Sequence, residues 1–386
     1  MWDDLAPIGR DAASGGYRRF AWTREDATLR EWFAGEAAAR GMAVVLDRAG
    51  NQWAWQGDPD VDGPGVVVGS HLDSVPDGGA YDGPLGVVSA FAALDTLAES
   101  SWRARRPLAV VNFGDEEGAR FGVACAGSRV ITGALAADRA RGLRDAEGTA
   151  MADAAGRLAT GFGRDDETLR RIGTFVELHV EQGRALVDQD AAIGVASAIR
   201  PHGRWRIELP GEANHAGTTA LADRRDAVLS LAHVVLAARV AAERHGGVAT
   251  VGRVTAQPNG VNAIASHVTA SLDARAPKNA QVRAIVAELT DAVASQGGEV
   301  IEESWTDVTP FPAELAGRLA TLLTAPVLDT GAGHDAGILA QAGVPAAMLF
   351  VRNPTGVSHS PAEHAERDDC LAGVAALADV VAELTR

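Results

Sequence analysis

The sequence predicts an α/β protein, a sheet flanked by helices, interrupted by a smaller α+β insert. Three observations carry this. Between about 65 and 180, short apolar runs that read as buried strands alternate with helical segments. From about 197 the character changes to half-exposed alternation, as in Trp205, Ile207 and Leu209. After 312 the first pattern resumes. The expected boundaries are 1–197 and 305–386 for the large unit and 198–304 for the insert.

In chain order, 23–40 reads as an amphipathic helix with Leu29, Trp32, Phe33 and Ala37 on one face and Thr23 as its N-cap. Strands are expected at 42–46, 52–55 and 65–69. A helix at 85–99 is apolar on all sides and so is expected to be buried. Another buried strand covers 107–113. Residues 123–171 mix helix and loop, and a strand at 174–180 follows. The insert reads as strand 203–209, helix 223–244, strands 248–255 and 266–275, helix 278–296 and strand 298–303. That order suggests a ferredoxin-like sandwich. A helix from 312, a glycine turn at 330–337, a strand at 345–351 and a C-terminal helix complete the chain.

With 386 residues there is room for two domains, and 47% hydrophobic content is that of a globular protein. A net charge of −16 disfavours nucleic acid and anionic membranes as partners. No apolar run approaches the ~18 residues of a membrane span. Cys125 and Cys370 are the two cysteines, too few for a disulfide framework, and each reads as a small buried hydrophobe or an idle thiol. The first residues, MWDDLAPIGRD, lack a basic stretch before an apolar core, so no signal peptide is expected and a cytoplasmic location fits.

Polar residues collect where the strands end. The run GSHLDSVPDGGAYDGPLG (69–86) follows Val66–Val68 and holds His71, Asp73 and Asp82. Gly78, Gly79 and Gly83 are expected to turn the backbone so that Asp82 returns toward His71. Asp115, Glu116 and Glu117 follow the next strand; Glu177, His179 and Glu181 the next; Ser358, His359 and Ser360 the last. Taken singly, each is compatible with a solvated turn. Four such clusters at equivalent sheet ends converge on one crevice. Burying that many carboxylates is costly unless cations compensate, and histidines beside carboxylates suit a dinuclear zinc or manganese centre. Glu116 and Glu117 are adjacent, so they cannot point the same way if the strand continues; one is then free to act as a base.

These residues lie in motifs that resemble the M20 metallohydrolases, in the branch of N-carbamoyl-L-amino acid hydrolases, allantoate amidohydrolases and β-ureidopropionases. The motifs are SHLDSVPDGGAYDGPLGV (70–87), DEEGARFG (115–122), ELHVEQG (177–183), ANHAGTT (213–219), PNGVNAIA (258–265), LDAR (272–275), GAGHDA (331–336) and GVSHSPAE (356–363). The resemblance implies a metallopeptidase-like catalytic domain, with a mixed sheet flanked by helices, and an inserted ferredoxin-like lid and dimerisation domain. It implies two divalent metal ions, Zn2+ or Mn2+. His71 and His179 would each hold one, Asp82 would bridge them, and Glu117 and His359 would complete the second site. Asp73 would fix the His71 imidazole from behind. Glu116 would be the general base. His215, Asn262 and Arg275 of the insert would act on the substrate, Arg275 on a carboxylate. Gln182 and His334 would lie near it, and a homodimer is implied.

The implied activity is hydrolysis of a linear C–N amide bond, the ureido group of allantoate or an N-carbamoyl-L-amino acid, with release of ammonia and carbon dioxide. Two alternatives stay open. One is an M20-type peptidase or aminoacylase, against which His179 argues, since the peptidase branch typically has a carboxylate there. The other is a binding protein that kept the fold and lost activity. The sequence departs from the family at Ala220, where a proline is usual, and at Arg352, which adds a charge before the last motif; Arg352 is expected either to contact substrate or to pair with a surface carboxylate.

Overall fold

The structure, a computed structural model, describes residues 1–386. It contains strands β1 (Ala43–Leu46), β2 (Gln52–Gln56), β3 (Gly65–His71), β4 (Leu108–Phe113), β5 (Ile172–Val180), β6 (Ile193–Ile199), β7 (His202–Pro210), β8 (Val248–Gln257), β9 (His267–Arg275), β10 (Glu299–Thr306), β11 (Thr309–Pro310), β12 (Val327–Thr330) and β13 (Ala346–Val351). The chain divides into two compact units, Met1–Ser197 with Pro310–Arg386, and Ala198–Thr309. The second boundary lies past 304 because β10 continues to Thr306. No helix is long and apolar enough to cross a membrane.

The larger unit is built on a nine-stranded mixed sheet in the order β1-β2-β4-β3-β5-β13-β6-β11, with β12 beside β6. Its centre is parallel: β4, β3, β5 and β13 run the same way, so their C-terminal ends share one edge. His71 pairs in register with Phe113, and His179 with Phe350, which brings the residues after each strand to the same level. Alternation decides which side chains face which way. Val66, Val68, Val176, Leu178 and Val180 enter one apolar core with the helices Pro84–Ala98 and Arg367–Leu384. Glu177 and His179 therefore fall on the opposite face. The helix Arg24–Ala39 is capped by Thr23, whose side chain accepts from the Asp26 N–H. Strands β6 and β12 were not expected; IGVASAI and VLDT are too short and too poor in large apolar residues to stand out by pattern.

The smaller unit is a four-stranded antiparallel sheet in the order β10-β7-β9-β8, with helices Ala227–His245 and Asn279–Ser295 on one face. Its βαββαβ order follows the predicted pattern. Trp205, Ile207 and Leu209 on β7 and Val268, Ala270 and Leu272 on β9 alternate into a core filled by Val234, Ala238, Ile285 and Leu289. The first helix begins at Ala227 rather than 223 because Asp226 caps it, accepting from the Val228 N–H at 3.0 Å.

Candidate metal centre

The four parallel strand ends bring His71, Asp82, Glu116, Glu117, His179 and His359 together. His71 ends β3. The loop that follows is pinned by the N-terminal segment, where Arg19 and Ser74 exchange two hydrogen bonds and Tyr17 pairs with Gly78. The loop returns Asp82 against the imidazole at Gly83, whose φ is +86°; a Cβ there would sit 2.4 Å from His71 Cε1. Gly83 thus meets both requirements of left-handed backbone and close approach. Gly78 and Gly79 do not have positive φ, contrary to expectation. Gly79 instead provides space, since its Cβ would lie 2.4 Å from Glu363.

The two oxygens of Asp82 face different partners. Oδ1 lies 3.1 Å from His179 Nε2 and 3.8 Å from His71 Nε2. Oδ2 lies 3.3 Å from His359 Nε2, which is 3.6 Å from Glu117 Oε2. Of three groups of candidate ligands, His71–Asp82–His179 and Asp82–Glu117–His359 share Asp82, and the third is Glu177–His179–His334. His71 and His179 stand together in the first group rather than apart in the first two, because β3 and β5 are neighbours and present them side by side. Glu116 points elsewhere from Glu117, its Oε2 lying 3.6 Å from His71 Nε2.

Both buried imidazoles are oriented from behind. His71 Nδ1 faces the Asp73 carbonyl at 3.1 Å, and His179 Nδ1 faces the Val180 carbonyl at 2.9 Å. With Nδ1 as the donor, the neutral form of each imidazole presents its Nε2 lone pair on the Asp82 side. The Nε2 atoms of His71 and His179 and Oε1 of Glu117 are buried without any hydrogen-bond partner. Buried polar atoms that lack partners are rare, and here they converge with a carboxylate between them. The donor set of imidazole nitrogens and carboxylate oxygens suits a divalent cation, so these residues fit one or more such ions.

The chain matches the profile of Peptidase family M20/M25/M40 over residues 67–383. It is 34% identical to an N-carbamoyl-L-amino acid amidohydrolase of Geobacillus stearothermophilus, over 100% of this chain and 98% of that protein. It is also 34% identical to the allantoate amidohydrolase of Escherichia coli K12, over 98% of this chain and 95% of that protein. This protein belongs to the M20 family. A solved structure, the hydantoinase/carbamoylase family amidase of Burkholderia vietnamiensis, superimposes with a TM-score of 0.88 at 29% identity, covering 100% of this chain and 95% of that one.

In this M20 chain the electrostatics follow from burial. Burial pushes the Glu116 carboxyl well above its usual range, with His71 opposing. Burial pushes His71 down, but Glu116 and Asp73 outweigh it and hold the imidazole well above its usual value. Asp82 is driven well below the carboxylate range; burial opposes this, and His179 and His359 overcome it. His359 is raised to about 9, chiefly by its contact with Asp82. Asp115 is buried with neither oxygen partnered, and burial raises its pKa well above the usual range.

Asp73 stands behind His71 as expected, but holds the ring through its carbonyl, and its carboxylate has a second task. Its carboxylate is 3.5 Å from His71 Nδ1, farther than its own carbonyl, and instead accepts from the N–H groups of Glu116 at 3.1 Å and Glu117 at 3.0 Å. It therefore holds the Glu116–Glu117 backbone. Glu181 turns out of the centre and accepts from the N–H groups of Ala185 and Leu186 at the start of a short helix. Glu177 accepts from Ser70 Oγ at 2.7 Å and Ala336 N at 3.0 Å, which satisfies both of its oxygens beside His179 and His334. Arg352 pairs with a carboxylate, Asp369, through two hydrogen bonds of 2.8 and 2.9 Å, but that carboxylate is buried and not on the surface; exposed Asp190 lies 3.5 Å away.

Gln182 donates to Asp82 Oδ2 at 2.9 Å and to Ser358 Oγ at 3.1 Å. His334 is buried against His179, ring centroids 4.5 Å apart; burial and that imidazole hold it well below its usual pKa, so it is neutral. Glu363 had no expected role, although it closes the last motif. It accepts from the N–H groups of Tyr81 at 2.8 Å and Asp82 at 2.9 Å and so fixes the backbone that presents Asp82. His215, Asn262 and Arg275 lie in the smaller unit. His215 and Asn262 are exposed and adjacent, joined by the Ala216 N–H to the Asn262 carbonyl at 2.9 Å. Arg275 is half-buried, with its guanidinium on Asp273 at 2.7 and 3.0 Å.

Proposed function

We propose that this protein is a metal-dependent amidohydrolase that cleaves the ureido C–N bond of allantoate or an N-carbamoyl-L-amino acid, using two divalent ions, Zn2+ or Mn2+, per chain. The observation that carries the two-ion reading is Asp82, with one oxygen toward His71 and His179 and the other toward His359 and Glu117. The choice of bond is supported by similarity to proteins named for N-carbamoyl amino acids and allantoate.

His71, Asp82 and His179 would hold one ion, and Asp82, Glu117 and His359 the other. When bound, such ions polarise the carbamoyl oxygen and bring the pKa of water toward neutrality. Glu116 takes the proton of the attacking water on Oε2, the oxygen turned toward His71, and delivers it to the departing nitrogen. One water and one ureido group then give the free amine, carbon dioxide and ammonia. Gln182, and neutral His334 as a hydrogen-bonding imidazole, orient the substrate. In this proposal His215 and Asn262 steady the developing oxyanion, and Arg275 exchanges Asp273 for a substrate carboxylate.

The metal-loaded protein is expected to release ammonia from allantoate, an N-carbamoyl-L-amino acid or a β-ureido acid. Cleavage of dipeptides or acyl amino acids, with no ammonia from any ureido substrate, would reverse the assignment to the peptidase alternative.

We also propose a homodimer through the smaller unit. Its helix Ala227–His245 exposes Leu229, Leu236 (70% exposed) and Val240 on one face, beside β8, an edge strand of the sheet. An apolar face next to an unpaired edge suits self-association. Sedimentation is expected to give two chains per particle, and Leu236→Glu one; a monomeric wild type would refute it. Both cysteines are free thiols, which favours a reducing cytoplasm; recovery of the protein from an oxidising compartment would contradict this.

A further inference from the structure

We infer that Cys125 is a positioning residue for Glu116: its thiol holds one carboxylate oxygen and leaves the other aimed at the metal centre. The inference rests on the reading of Glu116 as the base. The Cys125 thiol donates to Glu116 Oε1 at 3.2 Å, while Oε2 lies 3.6 Å from His71 Nε2. The two residues are also joined through the backbone, Cys125 N–H to the Glu116 carbonyl at 2.5 Å. Two further rungs, Ala126 to Asp115 and Gly127 to Gly114, both 3.0 Å, lock the segments together. Both side chains are buried, Glu116 at 5% and Cys125 at 2% exposure, so water does not compete for the contact.

The chemistry of the donor fits the task. A carboxylate on a single-bonded stem rotates, and a base must present one oxygen to the water. A thiol is a weak donor, so it selects the rotamer while withdrawing less charge from the carboxylate than a stronger donor would. Cys125 sits in left-handed backbone at φ 53°, which is unfavourable for a residue with a Cβ. The bland alternative, an apolar filler, does not account for the thiol facing a carboxylate.

The test uses the metal-loaded full chain. Cys125→Ala removes the donor, and Cys125→Ser restores one; both keep the Cβ, so the backbone cost is shared. Cys125→Ala is expected to lower kcat about tenfold, the scale of a hydrogen bond to a charged group, with KM and metal content unchanged. Cys125→Ser is expected to recover most of kcat. Wild-type kcat in Cys125→Ala, or an equal loss in both variants, would overturn the inference.

A second measurement needs neither turnover nor a substitution at Cys125. In a Cys370→Ala background, the infrared S–H stretch of Cys125 should move to higher frequency on Glu116→Gln, because a neutral amide oxygen is a weaker acceptor than a carboxylate. A band that does not move would refute the contact itself. If the wild type releases no ammonia from ureido substrates but the band does move, the functional reading fails while the Cys125–Glu116 contact stands.

Discussion

Glu116→Gln is expected to keep its metal ions and lose turnover by ~10^2–10^4-fold, the usual worth of a positioned acid–base group. Gln has nearly the same shape, and Glu116 is in none of the groups of candidate ligands. Its amide cannot accept the proton of the attacking water, so the loss should fall on kcat and not on KM. Metal analysis and steady-state kinetics on the same preparation decide it. Activity within a few-fold of wild type would remove Glu116 from the role of base, and loss of metal would make it a ligand.

Asp82→Asn is expected to do more damage, because one side chain serves two of those groups. An amide presents one oxygen and one N–H2, so it cannot face both imidazole pairs as an acceptor. Metal content should fall from two ions per chain to one or none, and turnover by at least ~10^3-fold, the scale of losing a preorganised electrostatic group. A titration of the metal-free protein gives an independent check. The Asp82 carboxylate favours the imidazolium form of His359, which holds its pKa at about 9. Removing that negative charge should lower the His359 pKa toward the ordinary histidine range, read by NMR of the imidazole. An unchanged His359 pKa would show that Asp82 is not its main partner.

The architecture was largely legible because the signals were local. Buried strands announce themselves as apolar runs, and four of them in parallel order place their following residues at one edge, which is why the clusters holding His71 and Asp82, Glu117, His179 and His359 could be grouped from sequence; singling out those five as ligands rested on the family resemblance. Strands β6 and β12 were not legible, since they form by pairing with neighbours and not by their own pattern. Within the centre, long-range contacts decided what the sequence left open. That Asp73 would bind the Glu116–Glu117 backbone and Glu363 the Asp82 backbone depends on segments 43 and 281 positions apart. The arrangement of Cys125 behind Glu116 depends on a left-handed turn at a residue type that gives no warning of one. Gly79 carried a correct signal with a different cause: it makes room for Glu363 and does not turn the chain.

The central claim, ureido hydrolysis at a centre of two ions joined by Asp82, is tested most directly by adding Mn2+ or Zn2+ stepwise to metal-free protein and following ammonia release from its best ureido substrate. The account predicts no release without metal and a rise that levels off at two ions per chain. Full activity in chelated protein, or a plateau at one ion, would contradict it.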